Sequence, residues 1–127
     1  MHDARARLEL CRAALCAIRE QEQDVRALEE IQPRSPEEKQ ALAEQLTRSR
    51  MLLQQARRQY PMRLALAMQA LEGLTGMEYK VLWLYYVLAY SNAAIGERLH
   101  YDCREVFRRK RAALIRLEQA NEGVEKL

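Results

Sequence analysis

No glycine or proline interrupts the chain between Ala4 and Ile31. Within that stretch Leu8, Cys11, Leu15, Ile18, Glu22, Val25 and Leu28 or Glu29 recur at intervals of three and four. Those intervals gather the residues on one side of an α-helix. Glu22 is the polar break in an otherwise apolar stripe. The rest of the chain is written in similar material. Among its 127 residues only four are Gly and three Pro, while the helix formers Ala, Leu, Glu, Gln and Arg dominate. A β-sandwich or barrel needs more frequent turns, and so few glycines argue against a glycine-rich phosphate loop. The 49% share of hydrophobic residues can fill a core, which excludes wholesale disorder. The expected fold class is all-α.

The first helix ends at Gln32-Pro33, and the second opens on Ser35-Pro36-Glu37-Glu38. Ser at the N-cap, Pro at the first helical position and Glu three residues past the cap form a capping box with the favoured proline. Leu42, Leu46, Ser49, Leu53, Ala56 and Tyr60 carry the seam onward. Two long helices joined by so short a link pack antiparallel. Residues 4–60 are therefore expected to form a coiled-coil-like helical hairpin with one apolar flank to spare.

Pro61 steers Tyr60 away from helical geometry. It is expected to mark a boundary or hinge, followed by a third helix from Met62 to Glu72 that stops at Gly73. Thr75-Gly76-Met77-Glu78 reads as another capping box and opens a fourth helix through Leu88. Ser91 can cap a fifth, Asn92 to Leu99. Asp102-Cys103-Arg104-Glu105 opens a sixth, to Leu117 or slightly beyond. The expected division is a hairpin over 1–60 for oligomerisation or partner binding, a second domain over 61–120 and a fraying tail over 121–127.

The N-terminal segment MHDARARLELCRAALC mixes charges with apolar residues and offers no continuous signal-peptide core. The longest apolar run, Val81 to Tyr90, is about half a bilayer span. Cys11, Cys16 and Cys103 cannot pair into an even disulfide framework. These features point to a cytoplasmic protein with free thiols and no membrane partner. Cys11 and Cys16 stand five apart, on different helix faces, and no histidine cluster completes a metal site. Cys103 lies just inside a helix N-terminus, a position that can lower a thiol pKa. His2 and His100 have no Ser or Cys partner in a recognisable motif, so no catalytic pair is expected, and no cofactor. Trp83, Tyr85, Tyr86 and Tyr90 read as core, with their polar ends at its rim.

Function is concentrated in Ser91 to Leu117, a short helix, a tight turn and a longer basic helix. That is the layout of a helix-turn-helix, whose second helix enters the DNA major groove. Two helices crossing steeply need a small residue at the contact, and Gly96 supplies it. Ile95 and Leu99 are the apolar anchors of the first helix, and Val106 answers them from the second. His100 falls at the turn position that often demands left-handed geometry. At 100° per residue, Cys103, Lys110, Ala113, Leu114 and Leu117 fall within about 80° of Val106, with Phe107 at the edge. Lys110 is the misfit in that sector. Either its stem snorkels or Phe107 takes over the packing. Arg104, Arg108 and Arg111 gather at the opposite pole, and Glu105 and Arg109 lie on one flank. From Arg98 to Arg116 the local charge is +5, in a chain whose net charge is +3. Cations on the face turned from the core suit guanine edges and phosphates. The expected DNA-binding residues are Arg104, Glu105, Arg108, Arg109 and Arg111. The expected packing residues are Ile95, Gly96, Leu99, Val106, Ala113 and Leu117.

From about Leu64 to Leu117 the chain resembles region 4 of the sigma-70 family of transcription factors. The resemblance lies in Leu71-Glu72-Gly73-Leu74 before the Thr75 cap, in Val81-Leu82-Trp83-Leu84-Tyr85-Tyr86, in Ala94-Ile95-Gly96-Glu97-Arg98-Leu99, and in Val106, Ala113 and Leu117. With its helical N-terminal segment the whole chain is similar to small phage-encoded sigma-like regulators, the ArpU/RinA-type late-gene activators among them. The resemblance implies double-stranded DNA as partner and control of phage genes in a bacterial or phage-infected cell, with RNA polymerase a further partner. Gly96 stands where the family usually has Ala, and His100 where it has Gly. Nothing resembles region 2, which favours a regulator over a complete sigma factor.

A lone helix-turn-helix reads a short half-site, so a homodimer or higher oligomer through residues 4–60 is expected. A phage small terminase-like packaging protein is the second reading, since such proteins also join a helix-turn-helix to oligomerising helices. A helical adaptor that binds no DNA is the third.

Overall fold

The computed structural model describes residues 3–125, with side chains described to residue 120. Helix α1 spans Ala4–Glu30, α2 Pro36–Ala70, α3 Gly76–Leu82, α4 Asn92–Leu99 and α5 Cys103–Glu125. Among the described residues there is no strand, and no helix is long and apolar enough to cross a membrane.

Each long helix begins where its cap chemistry dictates. Asp3 accepts from the Ala6 N–H (2.7 Å) at the start of α1. Ser35 accepts from the Glu38 N–H (3.1 Å) at the start of α2, and the Glu38 carboxylate reaches back to the Arg34 N–H (2.7 Å). This is the reciprocal arrangement of a capping box, displaced by one residue. The two helices then run antiparallel. Glu29 pairs with Arg50 (3.1 Å) and Glu22 with Arg57 (3.3 Å), so numbers rise on one helix as they fall on the other. Glu22, the polar break in the α1 stripe, is thus a seam residue with its own counter-ion. Along the same seam Ile18, Val25 and Leu53 are buried, with Leu46, Ala56 and Tyr60 packed on them.

Pro61 does not end the second helix. Helix α2 passes through it to Ala70, so the expected boundary or hinge and the separate helix from Met62 to Glu72 are both replaced by one long element. Proline inside a helix costs about 3 kcal/mol through one lost backbone bond and a clash with the carbonyl four residues back. Pro61 and Arg57 are both exposed, so the orphaned carbonyl is on the solvent side. Against that cost stands the seam, which continues through Tyr60, Leu64, Ala67, Ala70 and Leu71 in unbroken register. Ala67 and Leu71 are fully buried, and each large apolar side chain buried contributes about 1.5–3 kcal/mol. Burial wins. The same core takes in Ala4, Leu8 and Cys11 from α1 and Leu82, Tyr86, Ala113 and Leu117 from the later elements. A division at residue 60 therefore does not coincide with a break in packing.

The expected fourth helix also differs. Thr75 stands at the N-cap but its side chain makes no capping bond. Gly76 begins α3 at φ +65°, left-handed geometry that glycine adopts at little cost. After Leu82 the helix widens into a π-helical turn, Trp83–Val87. The Leu88 N–H donates to the Trp83 carbonyl (3.1 Å), the Tyr90 N–H to that of Leu84 (2.9 Å), and Ala89 takes φ +57°. A left-handed alanine costs about 1–2 kcal/mol. Its compensation is burial on two sides, because Leu84 enters the cluster of Ile95 and Val106 while Tyr86 and Val87 enter the main core. Helix α5 continues to Glu125, past the expected end near Leu117. The part of the expected fraying tail at 126–127 lies outside the described residues, as do the side chains of 121–125.

Candidate nucleic-acid interface

Helix α4 and the first turns of α5 are set by local chemistry. Ser91 accepts from the Ala94 N–H (3.1 Å), and Asp102 accepts from the Glu105 N–H (2.8 Å). Between the two helices His100 adopts φ 62° and ψ 42°, the left-handed region that His enters more readily than most residues. The turn closes on Gly96, whose carbonyl accepts from the Tyr101 N–H at 2.8 Å. A Cβ on Gly96 would stand 2.6 Å from the Tyr101 carbonyl oxygen, so the alanine usual in the resembled family has no room here. Ile95 and Val106 are fully buried against Leu84, with Leu99 and Tyr101 packed around them. Ala113 and Leu117 belong to the main core instead. The six expected packing residues thus serve two adjoining clusters. Cys103, expected in the inward sector of α5, is exposed, because it occupies the first turn, before the packing begins.

The five expected DNA-binding residues divide into two groups. Arg104, Arg108 and Arg111 are exposed on the face turned from Val106. Among the described residues Arg104 and Arg111 make no hydrogen bond or ion pair, while Arg108 donates to Glu105 through Nε (3.0 Å) and Nη2 (2.6 Å). Glu105 and Arg109 face each other. The Arg109 Nε donates to Glu105 at 2.7 Å, and its guanidinium lies over the Tyr101 ring at 4.6 Å. The Arg108 hydrogen bond, and then that of Arg109, hold the Glu105 carboxyl below the usual carboxylate range, against the opposing effect of burial. Glu105 is thus already engaged by two arginines. The Arg108–Glu105 pair is three residues apart and surface-exposed, so solvent screens it heavily.

Lys110 resolves differently from either expectation. It neither snorkels nor yields its place to Phe107, which is 55% exposed. The residue is 9% exposed, and its ammonium stands part-buried on the wall of a groove, 3.6 Å from the Tyr85 ring centroid and 3.0 Å from Asn92 Oδ1. Burial lowers its pKa from the usual lysine range, and the neighbouring guanidinium groups of Arg12 and Arg5 push the same way. Two other cations of the segment are tethered at its edges, Arg98 by the Tyr90 hydroxyl (3.3 Å) and Arg116 by Glu78 (3.2 Å). Charge counting alone missed these tethers, since the partners lie at distances along the chain that no helical period predicts. Helix α1 also brings Arg5 and Arg12 beside α5, for which the sequence carried no signal.

Among the described residues no group of three His, Cys, Asp or Glu could hold a metal ion, and Cys11, Cys16 and Cys103 are free thiols. Compared with known proteins, the chain matches no family model, no curated protein and no solved structure.

Proposed function

We propose that this chain is a double-stranded DNA-binding regulator of transcription, in which α4, the His100 turn and α5 act as a helix-turn-helix of the sigma region 4 kind. Helix α5 would enter the major groove with Arg104, Arg108 and Arg111 toward the DNA. The observation that carries this reading is the opposition of two faces on one helix: three arginines exposed at i, i+4 and i+7, and Val106 fully buried against Ile95 beneath them. Guanidinium groups so placed can bond guanine edges bidentately and take phosphates on either side. Glu105 in this reading holds Arg108 and Arg109 in the free protein and competes with DNA for them.

Pairing of half-sites would come from a homodimer through the outer side of α2, where Met51, Leu52 and Met62 are exposed. The inner stripe of α1 is already consumed by α2 and the core, so the spare flank lies on the second helix. RNA polymerase is the further partner that the sigma resemblance suggests. Control of phage or prophage genes rests on that resemblance alone.

The test is binding of labelled duplex DNA by the wild type and by Arg104→Ala/Arg111→Ala, two residues that make no hydrogen bond or ion pair among the described residues. The double variant should keep its circular dichroism and melting temperature while losing at least tenfold in affinity. Equal binding by the variant would assign the DNA to some other surface.

A further inference from the structure

Between α1 and α5 runs an open groove of about 1090 Å³, slightly above the usual size of small-molecule sites. It touches the arginine face only at Arg108 and Arg111. One part of it is apolar: Phe107 and Ile115 line it at 55% and 46% exposure, with Leu114 beside them. Another part holds positive charge without counter-charge. Lys110 is only 9% exposed, and Arg12 lies over the same Tyr85 ring at 4.2 Å while donating to the Tyr85 carbonyl at 3.1 Å. Among the described residues neither cation meets a carboxylate. Of the two acids on the walls, Glu9 is occupied by Arg5 (3.2 Å), and Glu118 pairs with neither cation.

A part-buried ammonium gains from a counter-charge, because a ring face and an amide oxygen replace only part of its hydration. Here a second cation shares its ring. The electrostatic deficit is relieved by an anion, and the apolar strip beside it favours an anion carried on a hydrocarbon body. Charge complementarity thus selects the occupant. We propose that the α1–α5 groove binds a small amphipathic carboxylate, with its carboxylate against Lys110 and Arg12 beside Tyr85 and its hydrocarbon along Phe107, Leu114 and Ile115. The proposed carboxylate contacts, Lys110 and Arg12, lie outside the DNA-reading set, while the groove borders that set at Arg108 and Arg111.

Decanoate is the probe, titrated calorimetrically into the full chain, with decanol and decyltrimethylammonium as its neutral and cationic counterparts. Decanoate should bind saturably at one per chain, decanol at least tenfold more weakly, and the cation not at all. Lys110→Met should weaken decanoate about tenfold or more, as loss of a charge-assisted hydrogen bond does. Phe107→Ser, at an exposed position where the fold is not at stake, should weaken decanoate and decanol alike. The proposal is overturned if decanoate fails to saturate below about 1 mM, if decanol binds as tightly, or if both variants bind decanoate as the wild type does.

Discussion

The carbonyl oxygen of Tyr101 lies 2.6 Å from the point where a Cβ on Gly96 would stand. The neighbour is backbone, so it cannot swing aside as a side chain would. Alanine in place of a helical glycine normally stabilises by roughly 0.5–1 kcal/mol. At Gly96 the sign should reverse, with Gly96→Ala destabilising by about 1–3 kcal/mol as overpacking does. Gly73, whose Cβ would meet nothing within 4 Å, is the control, and Gly73→Ala should stay within about 0.5 kcal/mol of the wild type. Urea unfolding of the two variants decides the matter.

Pro61 inside α2 gives a second expectation. Pro61→Ala restores a backbone bond to Arg57 and relieves the ring clash, while losing the stiffness proline lends the unfolded chain. The net should be a gain of about 1–2 kcal/mol, with a single unfolding transition in both proteins. A variant no more stable than the wild type, or a transition that splits in two, would mean that the helix breaks at this point.

Lys110 sets a pH dependence whose sign can be worked out. Its pKa is lower folded than unfolded, through burial first and then Arg12 and Arg5. Between those two values the unfolded chain binds the extra proton, so this group adds stability as pH rises. Cys11 and Tyr86 are pushed up by burial and act in the opposite sense, but they are common to the wild type and Lys110→Met. At neutral pH the variant should be between unchanged and about 2 kcal/mol more stable. The wild type should then gain on it as pH rises toward the ordinary lysine pKa. A difference independent of pH would show that the ammonium is not held as described.

Glu105 separates two roles. As the anchor of Arg108 and Arg109 it lowers the positive potential of the face, and Glu105→Gln should raise affinity for duplex DNA about threefold to tenfold by freeing both guanidinium groups. Were Glu105 itself a base reader, the same substitution would weaken specific binding and relax the preference at one base pair. Competition between a selected site and random duplex distinguishes the outcomes.

Much of the architecture was legible from spacing. The α2 seam through Leu42, Leu46, Ser49, Leu53, Ala56 and Tyr60 coincides with its shielded positions, because one helix against another leaves only a 3.6-residue stripe to bury. The caps at Ser35, Ser91 and Asp102 and the left-handed His100 were legible for a similar reason: each is decided by a few adjacent residues. Pro61 misled because a local rule was read without weighing the stripe that runs on through Leu64, Ala67 and Leu71. The π-turn at Trp83–Val87 was hidden because a segment buried nearly all round has no polar face from which to read a period. At the candidate interface the outward arginines followed from helical angle. The engagement of Glu105 by both Arg108 and Arg109, and the meeting of Arg12 with Lys110 over Tyr85, depend on rotamers and on how α1 crosses α5.

The salt dependence of duplex binding bears most directly on the role of α5. Neutralising roughly five phosphates gives a slope of log affinity against log salt of about −4 to −5. With Arg104 and Arg111 replaced by Ala the slope should shrink by about two units. A wild-type slope near zero, or a slope unchanged by the double substitution, would contradict DNA binding through this face.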